Sequence, residues 1–469
     1  MHSVASGPST AIAPARRCAF AVVRRVFERG AYADLALHAE AERLDRRDRA
    51  LATQLAYGTV QRKGTLDHLI ERLAGRPVGR LDAPVLAALR LGLYELLYLS
   101  GAPDRAVVAD AVELAKVGGG RGHGLVNAVL RRAAREGGAK LLGALADGTP
   151  EQAAVMHSHP EWIARLWWEL LGAEDARALM AYDNVPGEVA LRANTLVTDA
   201  ATLANELRDE SVRAHGSAAL DEAIVLDGPF DAHASPLWHA GAFVAQSRAA
   251  MLVSRALAPL PGERVLDLCA APGGKTTHLA ALMEGRGEVL AVEANARRAE
   301  ELRKSARRLR ADNVNVEVGD AAHARTDGAV FDRVLVDPPC SGLGTLQARA
   351  DLRWRASPEA VQEMAQTQRA ILAAGAEVLR PGGVLVYSTC TISPTENEHA
   401  IADFLHSHPD FGLDDLAADR SDVGRPVAAI ASATRARWAS LREGIPGTVL
   451  TLPHRDRTAG FFIARLRRS

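Results

Sequence analysis

A chain of 469 residues is longer than one compact domain, and 48% apolar with 24% charged residues is the composition of globular cores, not of a fibrous or disordered chain. The net charge of −1 hides an asymmetry: residues 1–145 hold 22 Lys and Arg against 14 Asp and Glu, about +8, and the remainder 34 against 43, about −9. A basic front portion is the electrostatic footprint of a nucleic-acid binder, although a solvated basic helical surface gives the same count. No apolar run reaches membrane-spanning length, and Arg16, Arg17, Arg24 and Arg25 interrupt any signal-peptide core. Four cysteines, Cys18, Cys269, Cys340 and Cys390, are too few and too scattered for a disulfide framework, and no pair has zinc-ligand spacing. The expectation is a cytoplasmic protein with reduced thiols, no metal and no membrane contact.

In chain order, residues 1–14 are small and rich in Pro and Ser, and are expected to be a disordered lead-in. Residues 15–145 carry helical periodicity: Phe20, Val23 and Phe27 repeat at helical spacing, as do Val85, Leu86, Leu89, Leu93, Leu96 and Leu97. Gly101-Ala102-Pro103 and Gly118-Gly119-Gly120-Arg121-Gly122 break helices, so this part reads as an all-α domain. Residues 155–240 mix strand-like runs at Val189–Ala193 and Ala223–Leu226 with a helix over Ala200–Arg208, a small α+β module. Residues 241–469 read as α/β. Strands are expected at Val265–Leu268, Val289–Glu293, Val314–Val318, Val334–Val336 and Val384–Tyr387, with helical runs between most of them. Two late β-like runs follow at Thr448–Leu452 and Phe461–Leu466.

The stretch Leu266-Asp267-Leu268-Cys269-Ala270-Ala271-Pro272-Gly273-Gly274-Lys275-Thr276-Thr277 is a strand, a small-residue turn and a helix start, where open α/β sheets bind nucleotide-like ligands. The glycines permit close backbone approach to a ligand, although a plain strand–helix turn has the same look. A phosphate-binding P-loop needs a glycine five residues before Gly274, and Cys269 stands there. Glu293 and Asp320 end the next two strands, beside the glycine loop, where acids hold ribose hydroxyls. The dinucleotide pattern GxGxxG is absent, which disfavours a nicotinamide cofactor.

Two later segments carry thiols. Val334-Leu335-Val336-Asp337-Pro338-Pro339-Cys340-Ser341-Gly342 has a cysteine where amino-methylating enzymes place an aromatic after Asp-Pro-Pro, which points away from nitrogen and toward covalent chemistry on carbon. In Val386-Tyr387-Ser388-Thr389-Cys390-Thr391-Ile392, the strand is followed by Ser393-Pro394-Thr395-Glu396, which reads as N-cap, N1 proline and N3 glutamate of a helix. Cys390 just before a helix N-terminus would have a lowered pKa. Cys18 and Cys269 are expected as buried small hydrophobes, Cys269 with its backbone near the ligand. The spacing alone does not order Cys340 and Cys390, and a redox pair would need Cys-x-x-Cys, which is absent.

The segments Asp267–Thr277, Asp337–Gly344 and Tyr387–Glu398 together resemble the signature motifs of the RNA cytosine-C5 methyltransferases of the Sun family. Thr345-Leu346 and Asp351-Leu352-Arg353-Trp354 resemble it too. Leu89–Leu96, Asp110–Lys116 and Val126–Arg132 resemble a NusB-type RNA-binding domain, and the fusion is that of the bacterial RsmB/Sun group acting on 16S ribosomal RNA. His159-Pro160-Glu161-Trp162, Leu191-Arg192-Ala193-Asn194-Thr195 and Gln246 resemble that group as well, so nearly the whole chain is covered. The resemblance implies a NusB-like domain, a small α+β module and a Rossmann-like class I methyltransferase using S-adenosylmethionine. By it, Cys269, Ala270, Ala271, Pro272, Gly273, Gly274 and Lys275 line the cofactor site. Glu293 holds the ribose, Asp320 the adenine edge, and Asp337 lies between cofactor and base with Lys275 near it. Cys390 is the nucleophile and Cys340 assists product release. The implied partner is 16S ribosomal RNA or a small-subunit assembly intermediate, met by a monomer. Three positions depart: Pro338 stands for the usual alanine, Ser247 for an aspartate after Gln246, and Ala459 for an aspartate before Gly460-Phe461-Phe462. A tRNA or another ribosomal site is the alternative target. A non-catalytic RNA-binding or assembly factor is the alternative class, opposed by the retention of both thiols.

Overall fold

The computed structural model describes residues 12–218, 220–323, 328, 330–416 and 445–469. Of the expected lead-in over 1–14, residues 1–11 lie outside the described residues, and Pro14 already opens a helix. The chain divides into two compact units. One runs to Val185 and takes in Leu346–Arg355; the other comprises Pro186–Thr345 and Ala356–Ser469.

The first unit is helical. Proline at the first turn starts Pro14–Arg29, and Gly30 in the left-handed region ends it. Asp45 caps Arg46–Gln61 by accepting from Asp48 N at 2.8 Å. The expected breakers fall between helices: Gly101-Ala102-Pro103 separates Ala83–Tyr98 from Asp104–Val117, and the glycine run separates that helix from His123–Glu136. Ala83–Tyr98 is buried along most of its length, and a side chain at Gly92 would collide with Leu130. Part of the basic charge is neutralised inside the unit, where Arg16 pairs with Glu95 and Asp110 and Arg90 with Asp67.

Leu346–Arg355 is integral to this unit. Arg353 is fully buried and donates to the carbonyls of Ser158 (3.0 Å), Asp183 (3.1 Å) and Leu346 (3.4 Å) and to Asn184 Oδ1 (3.0 Å). Trp354 donates from its indole to Val60 O at 2.7 Å, and the Lys63 ammonium stands 4.5 Å from its ring.

The second unit holds two sheets. The strands are β1 Val189–Ala193, β2 Ala214–Ser217, β3 Leu220–Leu226, β4 Phe243–Ala245, β5 Arg264–Leu268, β6 Glu288–Glu293, β7 Val314–Val318, β8 Phe331–Val336, β9 Leu379–Thr389, β10 Phe411–Leu413, β11 Val449–Leu450 and β12 Phe462–Arg468. The smaller sheet has the antiparallel order β2-β3-β1-β4. The larger has the order β10-β12-β9-β8-β5-β6-β7, with β11 on β12. Strands β9-β8-β5-β6-β7 are parallel, and β12 runs antiparallel beside β9. The order reverses between β5 and β8, so the crevice for a ligand opens at the carboxyl ends of those two strands. All the apolar runs expected as strands form strands; β2, β4 and β10, three or four residues each, carry no comparable signal.

One local expectation is corrected. The helix after Cys390 begins at Glu398, not at Ser393, and Ser393–Asn397 is a turn closed on the Ser393 and Pro394 carbonyls. The Glu396 carboxylate is taken by donors from other segments and cannot complete a capping box.

Replacing Arg353 by Met removes four donated hydrogen bonds from a buried site and should destabilise the chain by about 3–5 kcal/mol. Urea unfolding followed by tryptophan fluorescence measures it, and a shift within about 0.5 kcal/mol, as for a surface residue, would mean that the segment is not integral.

Candidate active site

The loop after β5 is shaped by packing. Gly273 has φ of +101°, and a Cβ there would lie 2.2 Å from Leu302 Cδ1, so glycine is required by backbone conformation and by the neighbouring helix Ala296–Arg308. Gly274 is under no such demand; its Cβ would meet Gln246 at ordinary contact distance, 3.8 Å. Asp267, buried at the end of β5, accepts from Thr276 Oγ1 at 2.6 Å and so ties the strand to the helix Gly274–Leu282. Burial pushes its carboxyl up to about 7, against the Thr276 bond and with help from the Asp337 charge. Burial first, then Asp267, Asp337 and Glu293, push the Cys269 thiol up to about 12, so it stays neutral.

A cavity lies over this loop. Cys269, Ala270, Ala271, Pro272, Gly274, Lys275 and Asp337 line it together with Gln246 and Ser247. Arg192 of β1, fully buried, donates to Gln246 Oε1 at 2.8 Å, to Thr277 Oγ1 at 3.0 Å and to Gly274 O at 3.4 Å. The smaller sheet thus braces the start of the helix. With Oε1 occupied, Gln246 Nε2 is a buried donor without a hydrogen-bond partner among the described residues. Ser247 caps the helix Arg248–Leu257 by accepting from Ala250 N, which is the work an aspartate would do there.

The two acids at strand ends sit differently. Glu293 is the buried last residue of β6, accepts from Asn295 N at 2.9 Å and lies 3.6 Å from Arg298. Asp320 is exposed after β7, accepts from Ala322 N at 3.0 Å and pairs with His323 at 3.1 Å. Neither lines the cavity; both stand at the carboxyl ends of strands in the same sheet as the loop.

Asp337 follows β8 and is the hub. Oδ2 accepts from Lys275 Nζ at 2.8 Å and Oδ1 from Ser388 Oγ at 2.7 Å. The parallel register pairs Val336 with Tyr387, which brings Ser388 of β9 beside Asp337. Burial alone would lower the Lys275 pKa, but Asp337 and then Cys390 outweigh it, so the pKa is raised and the ammonium is kept. Its Nζ also stands 5.0 Å from the Phe461 ring.

The two thiols meet. Cys340 Sγ and Cys390 Sγ are 3.3 Å apart. Gly344 N donates to Cys390 O at 3.0 Å, and Gly460 N donates to Gly344 O at 2.7 Å. A Cβ on Gly344 would lie 2.0 Å from Gly460 O, so three loops close on one another through glycine backbones. The hydrogen bond with Cys390, followed by burial and the charges of Cys390, Glu396 and Asp337, holds the Cys340 thiol well above its ordinary pKa. An anion at Cys340 is therefore disfavoured by its surroundings. Among the described residues no group of three or more His, Cys, Asp and Glu could hold a metal ion, and no helix is long and apolar enough to cross a membrane.

Sequence reasoning gave no role to Arg192, Gln246, Ser388 or Gln368, and read Glu396 only as the N3 residue of a helix cap. Ser388 becomes visible only once β8 and β9 are paired. Arg192, like Asp267, is a charge inside an apolar strand run, a local signal of a buried polar site.

Comparison with known proteins agrees with this architecture. Residues 254–467 match the family model for the 16S rRNA methyltransferase RsmB/F, residues 13–135 the NusB family, and residues 159–233 the ferredoxin-like domain of RsmF/B-like methyltransferases. The chain is 35% identical over 97% of its length to a probable ribosomal RNA small subunit methyltransferase B of Synechocystis, covering 99% of it. It is 34% identical over 93% of its length to the protein of that description in Bacillus subtilis, covering 95% of it. The crystal structure of PH0851 superposes with a TM-score of 0.77 at 27% identity, covering 98% of this chain and all of that one. By these matches, over nearly its whole length, the protein belongs to the 16S rRNA methyltransferase RsmB/F family.

Proposed function

We propose that the protein transfers a methyl group from S-adenosylmethionine to C5 of a cytosine in 16S ribosomal RNA, through a transient bond between Cys390 Sγ and C6 of the base. The observation that carries this reading is the pair of sulfurs 3.3 Å apart, next to the Lys275–Asp337 ion pair on the wall of the cavity.

The residues around that cavity fit the cofactor. The backbone N–H groups at the start of the helix Gly274–Leu282, the orphaned Gln246 Nε2 and the Lys275 ammonium suit a ligand carboxylate. Glu293 and Asp320 are assigned to the ribose and the adenine edge. S-adenosylmethionine, when bound, supplies an electrophilic methyl on its sulfonium.

Cytosine C5 is a poor nucleophile until C6 is attacked. The surroundings of Cys340 disfavour an anion there, and the Lys275 ammonium, whose charge Cys390 favours, favours a thiolate at Cys390 in return, so Cys390 is read as the attacking sulfur. Attack forms the sulfur–C6 bond and places an electron pair at C5. Asp337, held by Lys275 and Ser388, stabilises the N3 or N4 side of the ring. After methyl transfer the C5 proton leaves to a base, the C6–sulfur bond breaks, and its electron pair returns to Cys390. Cys340 is the adjacent group that assists this release.

The base must be unstacked to reach the thiols. The NusB-like helices and the small α+β module supply recognition of the folded RNA, either free 16S RNA or a small-subunit intermediate, and the enzyme acts as a cytoplasmic monomer. Bisulfite mapping of ribosomal and transfer RNA from a deletion strain tests the target: a single lost 5-methylcytosine in 16S RNA is expected, and a loss confined to tRNA would overturn that assignment.

Cys390→Ala should lower methylation at least about ten-thousandfold, as loss of a covalent nucleophile does, with cofactor affinity unchanged by equilibrium dialysis. Cys340→Ala should accumulate a covalent RNA–protein species on denaturing gels; the same species from Cys390→Ala instead would reverse the two roles. Gly273→Ala, strained in φ and blocked by Leu302, should weaken cofactor binding more than about tenfold, or about 1.4 kcal/mol.

A further inference from the structure

Glu396 is fully buried, and among the described residues no cationic side chain pairs with it. Its Oε1 accepts from Ser341 N at 2.8 Å and from Gln368 Nε2 at 3.0 Å, and its Oε2 accepts from Ser341 Oγ. Gln368 Nε2 also donates to Pro339 O at 2.8 Å. The residues on either side of Cys340 are therefore held by Glu396 directly or through Gln368. On the other side, Ser341 Oγ lies 2.6 Å from Thr391 Oγ1, next to Cys390, and Leu343 N donates to that same hydroxyl at 3.3 Å. Tyr387 OH donates to Glu396 O at 2.6 Å and to Gln368 Oε1 at 3.2 Å, fixing the turn from β9.

We infer that Glu396 is the positioning residue of the thiol pair: it reaches from the segment that carries Cys390 to the backbone beside Cys340 and sets the meeting of the two sulfurs. This rests on the thiol-pair reading above. A carboxylate is suited to the task because it accepts all three donors at once, and a buried acceptor removed from such a network leaves each donor unsatisfied. Its charge has a second effect. Cys340 is faced by Cys390, Glu396, Asp337 and Tyr387, all of them neutral or anionic, with Lys275 bound to Asp337. The Glu396 charge therefore helps keep the proton on Cys340.

The test uses the full chain with two readouts. In a Cys390→Ala background, iodoacetamide alkylation of Cys340 is followed by mass spectrometry against pH. Adding Glu396→Gln should move the alkylation midpoint down by about one pH unit, about tenfold in thiolate at a given pH. With Cys390 intact, Glu396→Gln should lengthen the life of the covalent RNA species about tenfold while cofactor affinity stays within about twofold. Ser341→Ala, which removes one donor and leaves the charge, should slow release in the same direction without moving the alkylation midpoint, and decides the matter if Glu396→Gln does not fold. An unchanged midpoint with an unchanged lifetime, or an equal loss of cofactor affinity, would overturn the inference. The alkylation arm needs no RNA, so absence of any methylated RNA from the parent protein would count against the proposed function and leave this arm to decide.

Discussion

The parallel pairing of β8 with β9 is the constraint on which the site depends. Its register, Val336 opposite Tyr387, ends both strands at the same edge of the sheet. Asp337 and Ser388 then become neighbours at 2.7 Å, and the loops beyond them carry Cys340 and Cys390 to a separation of 3.3 Å. A one-residue slip would turn Ser388 to the opposite face and place Thr389 beside Asp337. The pairing is secured by strands buried on both faces: Val334, Leu335, Val336, Leu385, Val386 and Tyr387 are all inaccessible to solvent.

Around that register the structure distributes three kinds of support. Backbone contacts without side chains, Gly344 against Gly460, close the loops on one another. Buried polar networks, Glu396 with Gln368 and Ser341 and Arg192 with Gln246, orient the groups that line the cavity and the thiol pair. Charge completes the arrangement: one cation, Lys275, answers Asp337 and favours an anion at Cys390, while Cys340 sits where a second anion is disfavoured. Two identical functional groups are thereby given different electrostatic surroundings, the same device that separates acid from base among paired carboxylates.

The legible parts of the sequence were those whose burial is local. Val265–Leu268 and the central part of β9 read as strands because strands of a covered parallel sheet are apolar in sequence, and Val314–Val318, at the sheet edge with no residue buried, read as one from its alternating valines. The helical unit was legible from periodicity and glycine breaks. The misread element was Ser393–Glu396, where a local capping pattern lost to tertiary donors: Ser341 and Gln368, 55 and 28 residues away in sequence, claim the carboxylate. Leu346–Arg355 was legible as a motif but not as part of the helical unit, since its place depends on Arg353 finding carbonyls of Ser158 and Asp183. The strand-end acids were legible as positions, and Asp320, a lone acid after a strand, does accept from its own turn.

The central claim is that the sulfur of residue 390 bonds to the pyrimidine. A ribosomal RNA substrate carrying 5-fluorocytidine tests it most directly, because a C5 that has lost its proton to fluorine cannot eliminate after methyl transfer and the bond to sulfur is retained. Protease digestion and mass spectrometry of the trapped species should then place the nucleotide on the peptide containing Cys390. A nucleotide on the Cys340 peptide, or methyl transfer with no trapped species, would contradict the account.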